Sequence, residues 1–533
     1  MATKRKYPVG IQSFESIRLD GYVYVDKTPL IYKMITEGKP YFLSRPRRFG
    51  KSLLCSTLEA VFLGRRELFE AFTTEDGIEQ PQLFIATTDW KWQPHPVIRF
   101  DFSAGDLRDI GQLDLLIDST LANYEEKYGI VPKVKDANIR MVDLLRKSHD
   151  LTGRRAVVLV DEYDNFILHA LGDMEKVEQA RHRFQNLFGP LKSEDDHLQF
   201  VFITGISKFS QMGIFSKINN LFNISMVSAY DTLCGISEEE LTTLLRPDIC
   251  MLAERNQTDG DSMLAMLKTR YDGYHFSRAM IDIYNPFSII NVFSTGTLSD
   301  YWFDRGTSSA LIGMLAQMPP VDVSSVEESV YPSTMFDLPF DTFDNPLPIL
   351  YQSGYLTIKG YDREYDEYRL GIPNQEVRRG FAECLYKHVA GRGSEANSSL
   401  FYQAYARFRR TDDLAAFIEA IKAFYAGVPY HWEQDNRNEH YYQALLYTLL
   451  TAFGADIRAE EPSAKGRSDL TLLMPKGIYV MELKYDDTAE AALAQINERG
   501  YADKYATDGR PITKVGIAFS SKERNITEWR CDK

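Results

Sequence analysis

The sequence predicts a multidomain α/β protein, and three observations indicate this class. The chain has 533 residues, which exceeds the roughly 250–300 residues at which a single hydrophobic core stops growing. Its first half contains apolar runs typical of buried parallel strands, separated by helical patterns. Its last hundred residues contain a hairpin pattern followed by a helix and a further strand. We therefore expect an α/β domain near each end of the chain.

Residues 44–52, Ser-Arg-Pro-Arg-Arg-Phe-Gly-Lys-Ser, lie between a short apolar run and a helical pattern. This order of strand, loop and helix suits a triphosphate, because helix N-terminal N–H groups and the helix dipole favour negative charge. We expect Lys51 to reach the β- and γ-phosphates and the Ser52 hydroxyl to ligate Mg²⁺.

The match to a phosphate-binding loop is incomplete, since Arg45 stands where the full pattern has glycine. A bare Gly-Lys-Ser also occurs at ordinary helix starts that carry a surface lysine. With the phosphate interpretation, the predicted nucleotide-binding residues are Arg48, Phe49, Gly50, Lys51, Ser52, Leu53 and Thr204.

A second apolar run, residues 156–160, ends in Asp161 and Glu162. Such a run is typical of a strand buried on both faces of a parallel sheet, and its carboxyl end lies at the usual ligand crevice. We expect Asp161 to hold Mg²⁺ through water and Glu162 to polarise the attacking water as the catalytic residue. The alternative is a strand that simply stops at a polar turn.

Two further apolar runs, 97–102 and 200–205, predict additional strands of the same sheet. The first falls between the phosphate loop and the Asp-Glu strand, which is the arrangement of AAA-type ATPases. Thr204 near the end of the second run would sense the γ-phosphate in such an enzyme. It is equally well explained as a strand terminator.

These segments together resemble the family of predicted AAA-ATPase-like proteins. The resemblance covers nearly the whole chain and rests on residues 7–11, 24–28, 45–52, 161–164, 204–209, 214–216, 219–221, 284–288, 301–302, 350–356 and 371–374. It implies that the missing glycine is a family trait, because the family's loop also has Arg-Pro-Arg-Arg-Phe-Gly-Lys. It also implies a C-terminal PD-(D/E)XK nuclease-like domain.

Residues 469–484 predict a β-hairpin with a tight turn near Lys476. The turn brings Asp469 opposite Glu482 or Lys484, depending on the register, and the strand period of two places Glu482 and Lys484 on one face. Carboxylates suit Mg²⁺ or Mn²⁺, which can lower the pKa of a bound water. Lys484 would position that water or help to deprotonate it.

This spacing resembles the PD-(D/E)XK nuclease fold, which implies two more site residues. Glu439 on an upstream helix would be a further acid, and Gln495 on a downstream helix would match the fourth motif. The predicted catalytic residues are then Asp469, Glu482, Lys484 and Gln495, and the predicted metal ligands are Glu439, Asp469 and Glu482. The alternative is a polar hairpin with a surface Glu–Lys pair.

Composition restricts the class of protein further. A net charge of −14 argues against non-specific coating of nucleic acid. There is no run of about eighteen apolar residues and no apolar leader pattern. We therefore expect the chain to be neither inserted into a membrane nor exported. The five cysteines are scattered without metal-ligand spacing, which favours a reducing, cytoplasmic location without zinc.

The predicted organisation has five parts. These are an ATPase core at 1–235, a helical lid at 236–312, a winged-helix-like module at 313–385, a helical linker at 386–430 and a nuclease-like domain at 431–533. We expect ATP and Mg²⁺ or Mn²⁺ as cofactors and DNA or RNA as substrate, and self-assembly into a homo-oligomer is compatible with this.

The predicted function is a P-loop ATPase whose ATP state controls cleavage of nucleic acid, with a defence or mobile-element role suggested by the domain pairing. One alternative is a nucleotide-controlled interaction protein whose nuclease-like domain binds without cutting. Another is an ATP-driven transport or remodelling factor.

Overall fold

The computed structural model describes residues 5–532 with gaps at 104–108, 171–172, 209–219, 303–329, 338–346, 382–394, 427–438 and 464. The chain divides into two compact units. The N-terminal unit comprises Met1–Pro320 and Ser329–Glu376, and the C-terminal unit comprises Val321–Glu328 and Val377–Lys533. Parts of the predicted winged-helix-like module and of the predicted linker fall in these gaps and lie outside the described residues.

Twelve strands are described in the N-terminal unit. They are β1 (Pro40–Ser44), β2 (Phe72–Thr73), β3 (Glu79–Gln80), β4 (Val97–Asp101), β5 (Ala156–Asp161), β6 (Leu198–Gly205), β7 (Phe222–Asn223), β8 (Ile236–Ser237), β9 (Ile283–Tyr284), β10 (Val330–Pro332), β11 (Thr357–Asp362) and β12 (Glu367–Gly371).

The main sheet of this unit has the spatial order β4-β5-β6-β1-β7, and its strand pairs are parallel. All six residues of β5 are buried, as expected for a strand covered on both faces. This confirms the predicted α/β class and the parallel sheet. The carboxyl ends of β1, β4, β5 and β6 therefore meet at one edge, which is where ligands bind in such sheets.

The α-helices described in this unit lie around the sheet and in the segments that follow it. They are α1 (Phe14–Leu19), α2 (Thr28–Glu37), α3 (Lys51–Phe62), α4 (Ile110–Lys127), α5 (Ala137–Thr152), α6 (Asn165–Ala170), α7 (Met174–Phe188), α8 (Pro190–Ser193), α9 (Glu238–Leu244), α10 (Arg246–Arg255), α11 (Gly260–Tyr271), α12 (Pro286–Thr295) and α13 (Leu347–Ser353).

The predicted helical segment after residue 236 contains helices α9 to α12. Helix α9 begins with a capping box, in which Ser237 caps the helix and Glu240 bonds back to the cap. These helices pack around one apolar cluster that includes Leu241, Met263 and Ile289. The segment is therefore helical as predicted, and its action as a lid stays a prediction.

Residues 347–371 form a helix followed by a hairpin. Helix α13 precedes β11 and β12, and β10 adds a third strand in the order β10-β12-β11. The comparison with a winged-helix module stays a prediction.

The C-terminal unit is a second α/β assembly. Its helices are α14 (Glu395–Thr411), α15 (Leu414–Ala426), α16 (Glu439–Ala452) and α17 (Ala489–Arg499), and its strands are β13 (Asp456–Ser463), β14 (Gly466–Met474), β15 (Gly477–Tyr485), β16 (Ile512–Ser520) and β17 (Asn525–Asp532). The strand order is β13-β14-β15-β16-β17, with β15 and β16 parallel and the other pairs antiparallel.

The hairpin register resolves the alternative that the sequence leaves open. Met474 pairs with Gly477 and Leu470 pairs with Met481, so the turn is Pro475-Lys476. Continuing this register places Asp469 across from Glu482 and not from Lys484.

Within the described ranges, no helix combines the length and the apolar character that crossing a lipid bilayer requires.

Candidate nucleotide and metal sites

The loop between β1 and α3 encloses a lysine. Lys51 is 4% exposed, and its ammonium donates hydrogen bonds to the carbonyl oxygens of Arg45 (3.0 Å) and Pro46 (3.1 Å). Both acceptors are neutral, so a phosphate would be a stronger partner for this charge. The ammonium thus lies inside the loop at the first turn of α3, where an anion is also favoured by the helix N-terminus.

Backbone conformation at two positions shapes this loop. Gly50 caps α3 with φ of 94°, a left-handed conformation that glycine adopts without steric cost. Arg48 also has a positive φ, 67°. Its guanidinium lies 4.1 Å from the ring centroid of Phe287 and donates to the backbone oxygen of Tyr301 at 3.1 Å.

Phe49 is 1% exposed and packs edge-on against Tyr274 and Phe276. The side chains of Arg48 and Phe49 therefore contact protein groups, and any contact with a nucleotide would come from their backbone N–H groups. Leu53 and Ser52 are half-buried on the first turn of α3. Leu53 also lines a largely apolar cavity of about 90 Å³ beside the loop.

Asp161 at the end of β5 is a deeply buried acid of this edge. It is 1% exposed, and neither carboxylate oxygen has a hydrogen-bond partner among the described residues. Burial raises its pKa, while the Ser52 hydroxyl and the Lys51 ammonium oppose that shift. The Arg99 guanidinium is 3.8 Å from one of these oxygens. A buried carboxylate without a hydrogen bond, beside a serine hydroxyl, fits a hard divalent cation.

Glu162 follows directly and has a left-handed backbone, with φ of 49°. Such a conformation in a residue other than glycine is strained and concentrates at functional sites. Burial is the main cause that raises the pKa of Glu162, with Asp161 and Asp164 adding to it and Lys51 opposing it. A carboxylate with a raised pKa at a ligand crevice is suited to accept a proton from water.

Asp164 differs from its two neighbours because it is hydrogen-bonded to the backbone. One of its oxygens accepts from the backbone N–H groups of Ile206 (3.0 Å) and Ser207 (2.5 Å) and from the Ser207 hydroxyl (2.5 Å). These bonds join the end of β5 to the end of β6. Asp164 therefore links the ends of these two strands.

Thr204 is fully buried, and its hydroxyl donates to the carbonyl oxygen of Leu43 on the neighbouring strand at 2.8 Å. This contact agrees with the strand-terminator alternative. The sensor role stays a prediction and would require that hydroxyl to exchange Leu43 for a phosphate.

Sequence reasoning missed one acid at this edge. Asp101 ends β4 and lies in register beside Asp161. It accepts hydrogen bonds from the backbone N–H and the hydroxyl of Ser103, and its charge contributes to the raised pKa of Asp161. The signal was available, because Asp101 also follows an apolar strand pattern.

The second candidate site lies on the hairpin of the C-terminal unit. Asp469 accepts a hydrogen bond from the backbone N–H of Leu483 at 2.7 Å. Glu482 is 1% exposed, and one of its oxygens lies 3.4 Å from the backbone nitrogen of Asp469. The two predicted carboxylates are therefore brought together on adjacent strands.

The lysine and the glutamine predicted for this site join the same group. The Lys484 ammonium is 3.6 Å from a carboxylate oxygen of Glu482. The Gln495 amide on α17 donates to that same oxygen and contacts the Tyr501 hydroxyl at 3.3 Å. The structure thus brings four predicted residues into one cluster.

Two further residues of this cluster were not predicted. The Gln443 amide on α16 donates to the backbone oxygen of Asp469 (2.9 Å) and to the carboxylate of Glu460 (2.6 Å). Glu460 has a left-handed backbone, with φ of 48°, and the β13–β14 register places it across from Asp469. No sequence motif assigns a role to an acid nine positions before Asp469, so Glu460 could be recognised only from the fold.

Glu439 is the first residue of α16. Its side chain lies outside the described residues, so its predicted contact with the metal stays a prediction. Gln443, one helical turn later, is the residue of α16 that contacts the site in the described part of the chain.

Comparisons with known proteins agree with this division. A family described as "Predicted AAA-ATPase" matches residues 8–215. A family described as "PD-(D/E)XK nuclease superfamily" matches residues 437–529. A protein of Azotobacter chroococcum mcd 1, named "Uncharacterized protein in vnfD 5'region", is 34% identical over 537 residues, covering 98% of both chains. No solved structure matches the chain.

Proposed function

Since the chain belongs to the predicted AAA-ATPase-like family and ends in a PD-(D/E)XK nuclease-superfamily domain, we propose that it hydrolyses ATP and cleaves nucleic acid under the control of its ATP state. The observation that carries the proposal is the clustering of acids with a lysine at one edge of the sheet in each unit. Either cluster suits phosphate chemistry, because both combine carboxylates for a divalent cation with an ammonium for phosphate.

In the ATPase part, Lys51 neutralises charge on the terminal phosphates and the backbone N–H groups of the loop cradle them. Ser52 and Asp161 hold Mg²⁺, which supplies further charge neutralisation when it is bound. Glu162 accepts the proton of the attacking water. Asp164 holds the ends of β5 and β6 together and so keeps Glu162 in place.

In the nuclease part, Asp469 and Glu482 hold Mg²⁺ or Mn²⁺, which neutralises charge at the scissile phosphate when it is bound. Lys484 orients the water and assists its deprotonation. Gln495 holds the Glu482 carboxylate in place. Glu460 is a third acid, connected to the site by the Gln443 amide. These roles rest on the clustering described above.

The net charge of the nuclease-like domain favours a confined path for the substrate. Residues 431–533 hold 14 Lys/Arg and 17 Asp/Glu, so this domain is slightly acidic overall, which disfavours non-specific binding to a duplex. A bound cation changes the local field and allows an acidic site to accept phosphate. We therefore favour a nucleic-acid end or single strand. The defence or mobile-element role, a homo-oligomeric state and a cytoplasmic location belong to this proposal by analogy.

The test is cleavage of labelled DNA and RNA with Mg²⁺ or Mn²⁺, each with and without ATP. We expect divalent-dependent products whose amount changes with ATP, and their loss in Lys484→Ala. Lys476→Ala is the matched control, because Lys476 lies in the turn at the other end of the same hairpin and bonds the Arg410 carbonyl. Metal-dependent binding without cleavage in any condition would favour the interaction-protein alternative.

A further inference from the structure

Three carboxylates converge in the N-terminal unit, away from both candidate sites. Glu238 begins α9, Asp272 directly follows α11 and Asp282 directly precedes β9. One carboxylate oxygen from each residue lies within 4.8 Å of the other two. Three separate segments of the chain thus direct acids to one point.

Asp272 distinguishes this group from an ordinary acidic surface cluster. It is 2% exposed, and neither of its oxygens has a hydrogen-bond partner in the described part of the chain. Burying a carboxylate without donors is unfavourable unless a cation compensates its charge. The buried carboxylate of Asp272 is therefore suited to a positively charged ligand.

The Tyr284 hydroxyl adds a fourth oxygen. It too is buried without a hydrogen-bond partner among the described residues. Burial is the main cause of its raised pKa, and Asp272, Glu238 and Asp282 each raise it further. The phenol therefore shares the electrostatic surroundings of the three carboxylates.

Lys268 compensates part of this charge. Its ammonium is 2.5 Å from Glu238 and 3.3 Å from Asp282, but 3.9 Å from the nearer oxygen of Asp272. His275 contacts Asp282 at 2.7 Å. The Lys268 side chain is 45% exposed, so it can turn toward solvent when another cation enters.

We propose that Glu238, Asp272 and Asp282 bind a hard divalent cation of the size of Ca²⁺. Oxygen-only ligands select hard cations, and Ca–O distances of about 2.3–2.6 Å allow ligand atoms up to about 5 Å apart across the ion. The bound ion ties α9 to the end of α11 and the start of β9. It displaces Lys268 and gives the Asp272 carboxylate a direct contact in place of the 3.9 Å ion pair.

The test is Ca²⁺ titration of the full chain by calorimetry, together with thermal unfolding at each Ca²⁺ concentration. Both candidate sites described above are also proposed to bind divalent cations, so the comparison is between variants that differ at this cluster alone. We expect Asp272→Asn to bind one Ca²⁺ equivalent fewer than the wild type and to lose part of the Ca²⁺-induced rise in Tm. We expect Lys268→Met to bind that equivalent more tightly, because the competing ammonium is gone.

Asp261→Asn is the matched control, since Asp261 lies on α11 with an exposed carboxylate paired to Arg246, and it should bind Ca²⁺ like the wild type. If Asp272→Asn does not fold, Asp282→Asn at the more exposed edge of the cluster provides the same comparison. Equal stoichiometry and equal Tm response in the wild type and the cluster variants would overturn the proposal, leaving an acidic cluster neutralised by Lys268. Loss of ATPase or nuclease activity plays no part in this outcome.

Discussion

Neighbouring acids at the end of β5 differ in role because their surroundings differ. Asp161 is buried without a donor among the described residues, whereas Asp164 accepts three hydrogen bonds from residues 206–207. Glu162 lies between them with a strained backbone and a half-buried carboxylate. At the residue scale, these surroundings support the proposed roles of Asp161 as metal ligand, Glu162 as proton acceptor and Asp164 as positioning acid.

Replacing Lys51 with alanine should weaken ATP binding by about 10- to 100-fold, since a charge-assisted hydrogen bond contributes about 1.5–3 kcal/mol. The fold should persist, because the lost partners are two neutral loop carbonyls. Calorimetric titration with ATP measures the effect. Lys39→Ala is the control, since Lys39 precedes β1 at the opposite edge of the sheet and pairs with Asp195. Equal ATP affinity in wild type and Lys51→Ala would rule out the phosphate-loop assignment.

The Glu162→Gln variant should bind ATP like the wild type and hydrolyse it about 10²- to 10⁴-fold more slowly, the usual range for a lost general base. Glutamine keeps the size of the side chain but cannot accept the proton. Steady-state phosphate release and nucleotide binding, measured on the same sample, separate the two effects. Glu175→Gln, an exposed acid on α7, is the control. Turnover at the wild-type rate would show that another group accepts the proton.

At the scale of elements, a buried carboxyl group connects helix α12 to the phosphate loop. Glu376 is 1% exposed and accepts hydrogen bonds from the Ser288 hydroxyl on α12 and from the backbone N–H of Trp302, both at 2.7 Å. The Trp302 indole N–H in turn donates to the backbone oxygen of Arg47 at 3.2 Å. Burial is the first cause that raises the pKa of Glu376, to about 7.

This shift predicts a pH-dependent stability. The folded-state pKa of about 7 exceeds the ordinary value of 4.5, so the folded state holds the proton more tightly. That contribution is fully present below pH 4.5 and is lost as the pH rises through 7. Each pKa unit corresponds to about 1.4 kcal/mol, so the difference reaches ~3 kcal/mol at alkaline pH.

Glu376→Gln should remove this dependence, because the amide is neutral at every pH and its oxygen can still accept from Trp302. We expect the variant to have a higher Tm than the wild type at pH 8 and a similar Tm at pH 5. Thermal unfolding followed by tryptophan fluorescence over this pH range is the measurement, with the exposed Glu364→Gln as control. A difference in Tm that does not vary with pH would refute the assignment of the raised pKa.

At the scale of the whole molecule, the two candidate sites belong to different compact units. Each site draws its charged residues from its own unit, so the two chemistries can be removed separately. If ATP controls cleavage, its effect should then be measurable as a change in the nuclease rate, because the two candidate sites share no residue.

Asp469→Asn should abolish metal-dependent cleavage and leave ATP turnover unchanged. The carboxylate that accepts from Leu483 loses its charge, while the N-terminal unit keeps all of its site residues. Parallel assays of phosphate release and of labelled nucleic-acid cleavage test this. Glu498→Gln, exposed on α17 near Gln495, is the control. A loss of both activities in Asp469→Asn would mean that the units do not function independently.

Local sequence patterns were sufficient to predict much of this molecule. The phosphate loop, the strand before Asp161 and the hairpin turn at 475–476 each occupy a few consecutive residues. Their backbone conformation follows from nearby chemistry, such as glycine at a left-handed position or a continuous apolar run in a buried strand. The sequence by itself therefore determined the α/β class, the family and most candidate residues.

Only the tertiary structure decided which distant residues meet. Four contacts join separate segments of the chain. They are the register that places Asp469 across from Glu482, the link from Gln443 to Glu460, the alignment of Asp101 with Asp161 and the convergence of acids on Asp272. Sequence periodicity states which face of an element is buried, but it does not state which element packs against that face. These contacts depend on the packing of whole elements, and that packing is settled by the burial of the entire core.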